Sequence, residues 1–314
     1  VAVQILTGDC RALLATLPAG SAQCCVTSPP YFGLRDYGHA EQIGLESSPE
    51  AYIAALVQTF RAVHQVLADD GTLWLNLGDT YAGDRGAAGS NNRGLTDSRR
   101  RDNTPVPRSD ARIDGLKAKD LVGIPWRVAF ALQADGWWLR QDLIWSKPNP
   151  MPESVIDRCT KAHEYVFLLS KAARYLFDAE AIGEAASGRK SGRIAEDKAG
   201  TDAGFEIRGG FAACGQTEWF SRNRRSVWTI ATQPFDGAHF ATMPPELARL
   251  CILAGSRPGD TVLDPFAGAG TTGLVADRLQ RGAVLIELNP TYAELARARL
   301  QGDAPLFADV CLHG

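Results

Sequence analysis

The chain is expected to be an α/β protein built on a mostly parallel, Rossmann-like sheet with helices on both faces. Three observations lead there. Short apolar runs alternate with amphipathic helical stretches along most of the length, which is the signature of βαβ units. One run, Thr261-Val262-Leu263-Asp264, enters the turn Pro265-Phe266-Ala267-Gly268-Ala269-Gly270 and a helix, then a second run that ends at Glu287. Another, Ala22-Gln23-Cys24-Cys25-Val26, stops at Thr27-Ser28-Pro29-Pro30-Tyr31. In open α/β sheets ligands bind beyond the carboxyl ends of strands, so these two stretches form the candidate site.

Each element follows from local chemistry. Residues 3–6 are the first strand, ending at Gly8-Asp9-Cys10; a short helix with Leu13, Leu14 and Leu17 on one face stops at Pro18 and Gly20. After the strand 22–26, residues 31–46 are rich in glycine and turn formers and make a loop over the site. Ser48 before Pro49 is an N-cap with proline at N1. The helix behind it carries Tyr52, Leu56, Phe60, Val63 and Leu67 and ends near Asp70-Gly71, before a strand at 72–77. A helix runs from Ile124 to Leu132 and closes at Asp135-Gly136. Strands are expected at 137–145 and 164–170, with a short one at 175–177 pairing nearby. Pro244-Pro245-Glu246 opens a helix that runs to Gly255. The strand 261–264, a helix 272–279, the strand 283–287 and a helix 292–300 complete the series.

Two segments break the pattern. Residues 82–120 are polar and contain Arg99, Arg100 and Arg101; residues 179–225 carry Arg189, Lys190, Arg193, Arg222, Arg224 and Arg225, with Phe211, Trp219 and Phe220 interleaved. Neither holds enough apolar side chains to fold alone. A solvated surface loop is the plain reading; a basic arm that meets nucleic acid is the functional one. The division is then one domain from 1–178 and 226–314, with the 82–120 insert, and a separate small region at 179–225.

Composition sets limits. A chain of 314 residues with 45% hydrophobic and 22% charged residues has a sizeable core, and its net charge of −3 gives no global basic signature. Seven cysteines without a Cys-x-x-Cys pair argue against a disulfide framework or a metal site. No secretory leader or membrane-length apolar run is visible, so a cytoplasmic protein with no membrane partner is expected.

At the first stretch, Pro30 forces Pro29 into extended backbone and Pro29 fixes its own φ, so the Ser28 hydroxyl, the Pro29 carbonyl and the Tyr31 ring are held stiffly together. Taken alone this is a strand-ending turn. The second stretch changes its weight. Gly268 and Gly270 allow a ligand to approach the backbone, and an acid such as Glu287, about 20 residues on, suits a ribose diol. The third glycine of the dinucleotide fingerprint is missing, which favours a cofactor without a pyrophosphate over a nicotinamide.

Together, Asp264-Pro265-Phe266-Ala267-Gly268-Ala269-Gly270-Thr271-Thr272 and Thr27-Ser28-Pro29-Pro30-Tyr31 resemble the motifs of the DNA amino-methyltransferases. The catalytic motif stands first, as in the permuted β group. Gly8-Asp9-Cys10, Trp145-Ser146-Lys147-Pro148, His163-Glu164-Tyr165, Ser170-Lys171 and His239-Phe240-Ala241-Thr242-Met243-Pro244 resemble further motifs, in order. Met243 stands where phenylalanine is commoner.

The resemblance implies a fold, a cofactor and roles: a methyltransferase sheet with a small inserted DNA-recognition region at 179–225, S-adenosyl-L-methionine as cofactor and double-stranded DNA as partner. Asp264, Pro265, Phe266, Ala267, Gly268 and Gly270, with Thr271 and Thr272, would line the methionine half. Glu287, flanked by Leu288 and Asn289, would hold the ribose hydroxyls, and Asp9, beside Cys10, would accept from the adenine amino group. Ser28 and the Pro29 carbonyl would take the two protons of a target amino group, with Pro30 stiffening the loop and Tyr31 stacking on a flipped base. In that family serine at the first position is associated with N4 of cytosine and aspartate with N6 of adenine; both side chains are acceptors, so the base stays open. So do a cognate restriction endonuclease, a homodimer, an RNA or protein amino group as substrate, and a DNA-binding regulator without activity.

Overall fold

Alternation along the strands sorts the core into two layers, and the sheet between them aligns the site. The computed structural model describes residues 2–34, 37–39, 41–83, 113–185, 221–233, 243–303 and 309–313. The first half contains β1 (Ala2–Thr7), α1 (Cys10–Leu14), β2 (Ala22–Thr27), α2 (Pro49–Val66), β3 (Leu67–Leu77), α3 (Ile124–Ala134), β4 (Trp138–Ser146) and β5 (His163–Ser170). Then come β6 (Glu184–Ala185), β7 (Ser221–Arg222), β8 (Val227–Thr229) and α4 (Pro245–Gly255). The chain closes with β9 (Thr261–Asp264), α5 (Thr271–Arg278), β10 (Gly282–Glu287), α6 (Pro290–Asp303) and β11 (Asp309–His313).

Among the described residues nine strands make one sheet in the order β11-β1-β10-β9-β2-β3-β5-β4-β8. Of these only β5 runs against its neighbours, pairing antiparallel with both β3 and β4. In β3, Trp74 faces the layer that holds Leu247 and Leu250 of α4, Leu274 of α5 and Ala296 of α6. Leu73, Leu75 and Leu77 face the other, with Leu14 of α1, Leu56 and Phe60 of α2, and Val128 of α3. A period of two on the strand against 3.6 on the helices produces this division. Each fully buried Leu or Phe contributes about 1.5–3 kcal/mol.

β9 connects through α5 to β10 on one side, while β2 connects through α2 to β3 on the other. β9 and β2 are themselves neighbours, with Cys24 beside Val262 and Cys25 beside Leu263. Where connections diverge from adjacent parallel strands a crevice opens at their carboxyl ends. The residues just past those ends are Pro265 onward and Ser28 onward.

The structure differs from expectation in several places. Residues 175–177 form no strand: Leu176 N–H donates once to the Asp70 carbonyl at 2.9 Å, and Phe177 stacks on Trp74 with ring centroids 6.2 Å apart. Aromatic packing, rather than a ladder, holds that segment. β3 begins at Leu67 instead of residue 72: Leu67 pairs with Ala22 and Thr72 with Cys24, and residues 68–71 bulge out between those two paired positions. The short pairings β8 on β4, β11 on β1 and β6 on β7 were not expected.

Both polar segments are pinned at their ends. Ala82 N–H donates to the Asp120 carbonyl at 2.9 Å, and Lys119 N–H to the Ala82 carbonyl at 2.8 Å. The β6–β7 pairing of Glu184 with Arg222 does the same for 179–225. Arg99, Arg100, Arg101, Arg189, Lys190, Arg193, Phe211, Trp219, Phe220 and the stretch 239–242 lie outside the described residues.

Candidate active site

The glycine turn after β9 is held by two acids. Asp264, 3% exposed, accepts from Thr27 Oγ1 at 2.6 Å, Thr272 Oγ1 at 2.7 Å and Phe266 N–H at 3.1 Å. Its carboxylate therefore ties β9 to both β2 and α5. Burial pushes the Asp264 carboxyl above the usual range, and those three donors offset part of the push. Glu287, at the end of β10, accepts from Gly268 N–H at 2.8 Å and Asn289 N–H at 2.9 Å. Burial raises it too, against the same two N–H groups. An ionised carboxylate has about four acceptor sites, so Glu287 keeps capacity for a hydroxyl pair. Gly270, with φ of 73°, caps α5, and an added Cβ would lie 2.8 Å from Ala296 Cβ. Only glycine fits that contact and that backbone angle.

At the next strand end, Asp9 caps α1 by accepting from Arg11 N–H at 2.8 Å, and the Arg11 guanidinium pairs with both carboxylate oxygens. That pairing holds the Asp9 carboxyl below the usual range. Burial, and secondarily Asp9, raise the Cys10 thiol to about 12, which removes it as a nucleophile at neutral pH.

The Ser28–Tyr31 loop is braced from below. Tyr52 Oη donates to the Pro30 carbonyl at 2.9 Å, and Gly33 N–H donates to the Gly44 carbonyl at 2.8 Å. Tyr31 turns its hydroxyl inward to donate to Glu164 Oε2 at 2.5 Å. Its ring lies on Gly78, where a Cβ would stand 2.5 Å from Tyr31 Cε2. Asn76 Nδ2 lies 2.9 Å from Tyr31 Oη, 3.0 Å from Glu164 Oε2 and 3.3 Å from Ser28 Oγ. Glu164 also pairs with Lys147, whose ammonium lies 4.4 Å from the Trp145 ring centroid. Burial, then the Glu164 charge, keep the Tyr31 phenol protonated far above its ordinary range. Asn76 Oδ1 is buried without a hydrogen-bond partner among the described residues.

A cavity of about 730 Å³ joins these parts, within the range of cofactor sites. Its lining includes Asp9, Cys10, Ser28, Pro29, Pro30 and Tyr31, together with Asp264–Ala269, Thr271, Thr272, Glu287, Leu288 and Asn289. The residues singled out in the two motif loops are thus brought together by the fold. Gly270 supplies the helix cap behind them.

Asn76, Lys147 and Glu164 had no site role in the sequence, nor had Tyr37 and Tyr292, whose rings meet edge to face with centroids 6.5 Å apart at the cavity wall. Lys147 and Glu164 stood only within motif resemblances. The missing signal was strand direction: because β5 is antiparallel, its first residues share an edge with the carboxyl ends of β2, β3 and β4. Of the basic candidates, Arg222 and Arg225 pair with Glu184, and Arg224 Nε donates to the Ile182 carbonyl at 2.7 Å.

A glycine cradle with a Cβ-free approach, a buried acid at the end of the second strand and an amino-group acceptor across the cavity fit S-adenosyl-L-methionine. This is the arrangement of a Rossmann-like methyltransferase. The family described as DNA methylase matches residues 22–298, and the chain belongs to it. It is an S-adenosyl-L-methionine-dependent methyltransferase of exocyclic amino groups in DNA, at N4 of cytosine or N6 of adenine.

The chain is 48% identical over 301 residues to the type II methyltransferase M.Cfr9I of Citrobacter freundii, covering 95% of this chain and 88% of that one. It is 49% identical over 300 residues to the type II methyltransferase M.SmaI of Serratia marcescens, covering 95% and 90%. A DNA modification methylase of Thermus thermophilus, solved in complex with S-adenosyl-L-methionine and described as putative, has the same fold, with a TM-score of 0.61 at 24% identity over 99% of this chain and 98% of that one. PvuII DNA methyltransferase, described as cytosine-N4-specific, shares it with a TM-score of 0.63 at 19% identity, covering 98% and 92%. Among the described residues no helix is long and apolar enough to cross a membrane.

Proposed function

We propose that the target is N4 of a cytosine extruded from duplex DNA, with Ser28 and the Pro29 carbonyl as acceptors for its two amino protons. The observation that carries this is Ser28 itself, half-buried at the sheet edge and facing the same cavity as the Asp264–Thr272 turn. Serine there is the residue associated with cytosine enzymes in the family that the chain belongs to.

The amine lone pair of a nucleobase is delocalised into the ring and nucleophilically weak. Two acceptors on its protons favour a pyramidal nitrogen and return the lone pair to it. When bound, S-adenosyl-L-methionine supplies an electrophilic methyl group on a sulfonium. Ser28 is oriented for its part by Asn76, which donates towards Oγ, while Glu164 takes the Tyr31 hydroxyl and fixes the ring on Gly78. Positioning and electrostatics supply the rate. The amino proton leaves after the nitrogen has become cationic, so no strong base is required. Glu287 holds the ribose hydroxyls, and Asp9 takes the adenine amino group.

Residues 179–225 are proposed to read the sequence and 82–120 to clamp the backbone; exchanging 179–225 with a relative's segment is expected to change the methylated site. The type II names of the relatives support a cognate restriction endonuclease as partner, and action on chromosomal DNA supports a cytoplasmic location.

The deciding experiment digests genomic DNA from expressing cells to nucleosides for mass spectrometry. N4-methylcytosine is the expected mark. N6-methyladenine would keep the mechanism and overturn the base; neither mark, with cofactor bound, would direct the search to RNA.

A further inference from the structure

Between β4 and β5 the chain leaves the sheet, and Lys147 N–H closes the loop's base by donating to the Ala162 carbonyl at 2.8 Å. Both limbs are braced. Asn149 Nδ2 donates to the Thr232 carbonyl at 3.1 Å, and Asn149 Oδ1 accepts from Thr232 N–H at 3.0 Å. On the far limb Lys119 pairs with Asp157 at 2.7 Å, Arg158 pairs with Glu153, and the Arg158 guanidinium lies 4.1 Å from the Tyr81 ring centroid. Lys161 Nζ donates to the Asp79 carbonyl at 3.2 Å.

What these braces hold outward is apolar. Ile156 is 100% exposed, Met151 88% and Val155 41%. A single exposed aliphatic residue is ordinary; three on one short, tied-down loop are more apolar surface than water favours. Pro150, Met151 and Pro152 line the same cavity as Ser28 and Tyr31, so the near limb of the loop borders the pocket in which a base would react.

We propose that residues 148–161 form a wedge that enters the DNA base stack beside the target, with Ile156 at its tip filling the space the flipped base leaves. The inference rests on the reading above, that the substrate is a base extruded from duplex DNA. Such a base must leave the stack to reach Ser28, and it leaves two apolar base faces against water. Isoleucine, methionine and proline are among the side chains that unstack base steps. The bracing means that the tip is ordered before DNA arrives, so little conformational entropy is lost on insertion.

The test compares wild type with Ile156→Ala on two duplexes carrying the mapped recognition site. One is fully paired; in the other the target base faces an abasic position, so no pair has to be broken. Ile156→Ala is expected to lose about tenfold in kcat/KM on the paired duplex and less than about twofold on the other, since the unstacking cost falls when the base is already unpaired. S-Adenosyl-L-methionine affinity should not change, and a 2-aminopurine beside the target should brighten less with the variant than with wild type. Equal losses on both duplexes, or none on either, overturn the wedge. Wild type that methylates neither duplex overturns the base reading and the wedge with it. Because Ile156 is fully exposed, its truncation leaves the fold intact.

Discussion

The cofactor side and the base side of the cavity both place carboxylates behind a short loop, but they are assembled over different distances. On the cofactor side most partners are near in sequence: Asp264 finds Phe266 N–H and, at the start of α5, Thr272, and Glu287 finds Asn289 N–H two residues on, while Thr27 of β2 and Gly268 N–H join from further away. On the base side Ser28, Tyr31, Asn76, Lys147 and Glu164 come from four different strand ends. The first is a local motif that the sheet receives largely finished. The second exists only after β2, β3, β4 and β5 are in register.

That contrast orders the expected effects. Ser28→Ala should be the most severe, lowering kcat about 10²–10³-fold, as loss of a transition-state hydrogen bond does, with cofactor affinity near normal by calorimetry. Tyr31→Ala should also lose activity without losing cofactor. Wild-type turnover in either variant would break the assignment of the base side.

Glu164→Gln keeps an acceptor for Tyr31 but leaves Lys147 without its charge partner. An enclosed ion pair broken from one side costs about 3–5 kcal/mol when fully buried; both side chains here retain some exposure, 18% and 14%, so about 1–3 kcal/mol is expected in denaturant melts. If Lys147→Met on the same background restores stability but not turnover, the pair serves geometry rather than folding.

Two glycine substitutions test each side separately. Gly78→Ala drives a Cβ into the Tyr31 ring and should cut turnover while sparing cofactor binding; Gly270→Ala meets Ala296 at a left-handed φ and should weaken cofactor binding. Each overpacked contact should cost about 1–3 kcal/mol of stability.

The cofactor side has a pH signature. Burial raises Glu287 above 4.5 in the folded chain, so on acidification it protonates before an ordinary glutamate would. By linkage the folded state holds that proton more tightly than the unfolded one; Glu287 therefore favours folding below its unfolded value and loses that contribution as pH rises through the raised one. With Glu287 in its proposed role, cofactor binding takes the opposite sign, because protonation removes an acceptor for the ribose. Affinity should fall as pH descends through the raised value, beginning above 4.5 without unfolding, and Glu287→Gln should flatten the profile. The smallest effect is expected from Arg225→Ala: the Arg225 side chain is 72% exposed in its pair with Glu184, and exposed ion pairs contribute little to stability. A fall of about one in the salt slope of DNA binding would mark Arg225 as a phosphate contact.

Much of the fold was legible because local chemistry and burial agree. Ser48 does cap α2, its Oγ accepting from Ala51 N–H at 3.2 Å, and Pro49 does stand at N1. The strands 22–26 and 261–264 lie where their apolar runs end. The segments that misled were those whose structure is settled by partners far away. Residues 175–177 look like a strand and pack as aromatics. Val227–Thr229 carry no expected element and pair with β4. Three-residue edges carry too little pattern to announce themselves.

The amino-acid sequence alone determined the alternation of strands and helices, the two motif loops and the chemistry those loops offer, because their stiffness and hydrogen bonding depend on neighbours within a few residues. Tertiary structure alone decided which way β5 runs, and with it the meeting of Glu164 and Lys147 with Tyr31 and Asn76. Nothing in a strand's own residues states its direction; that is set by what it packs beside, and one reversed strand moves a glutamate from the far edge of the sheet to the site.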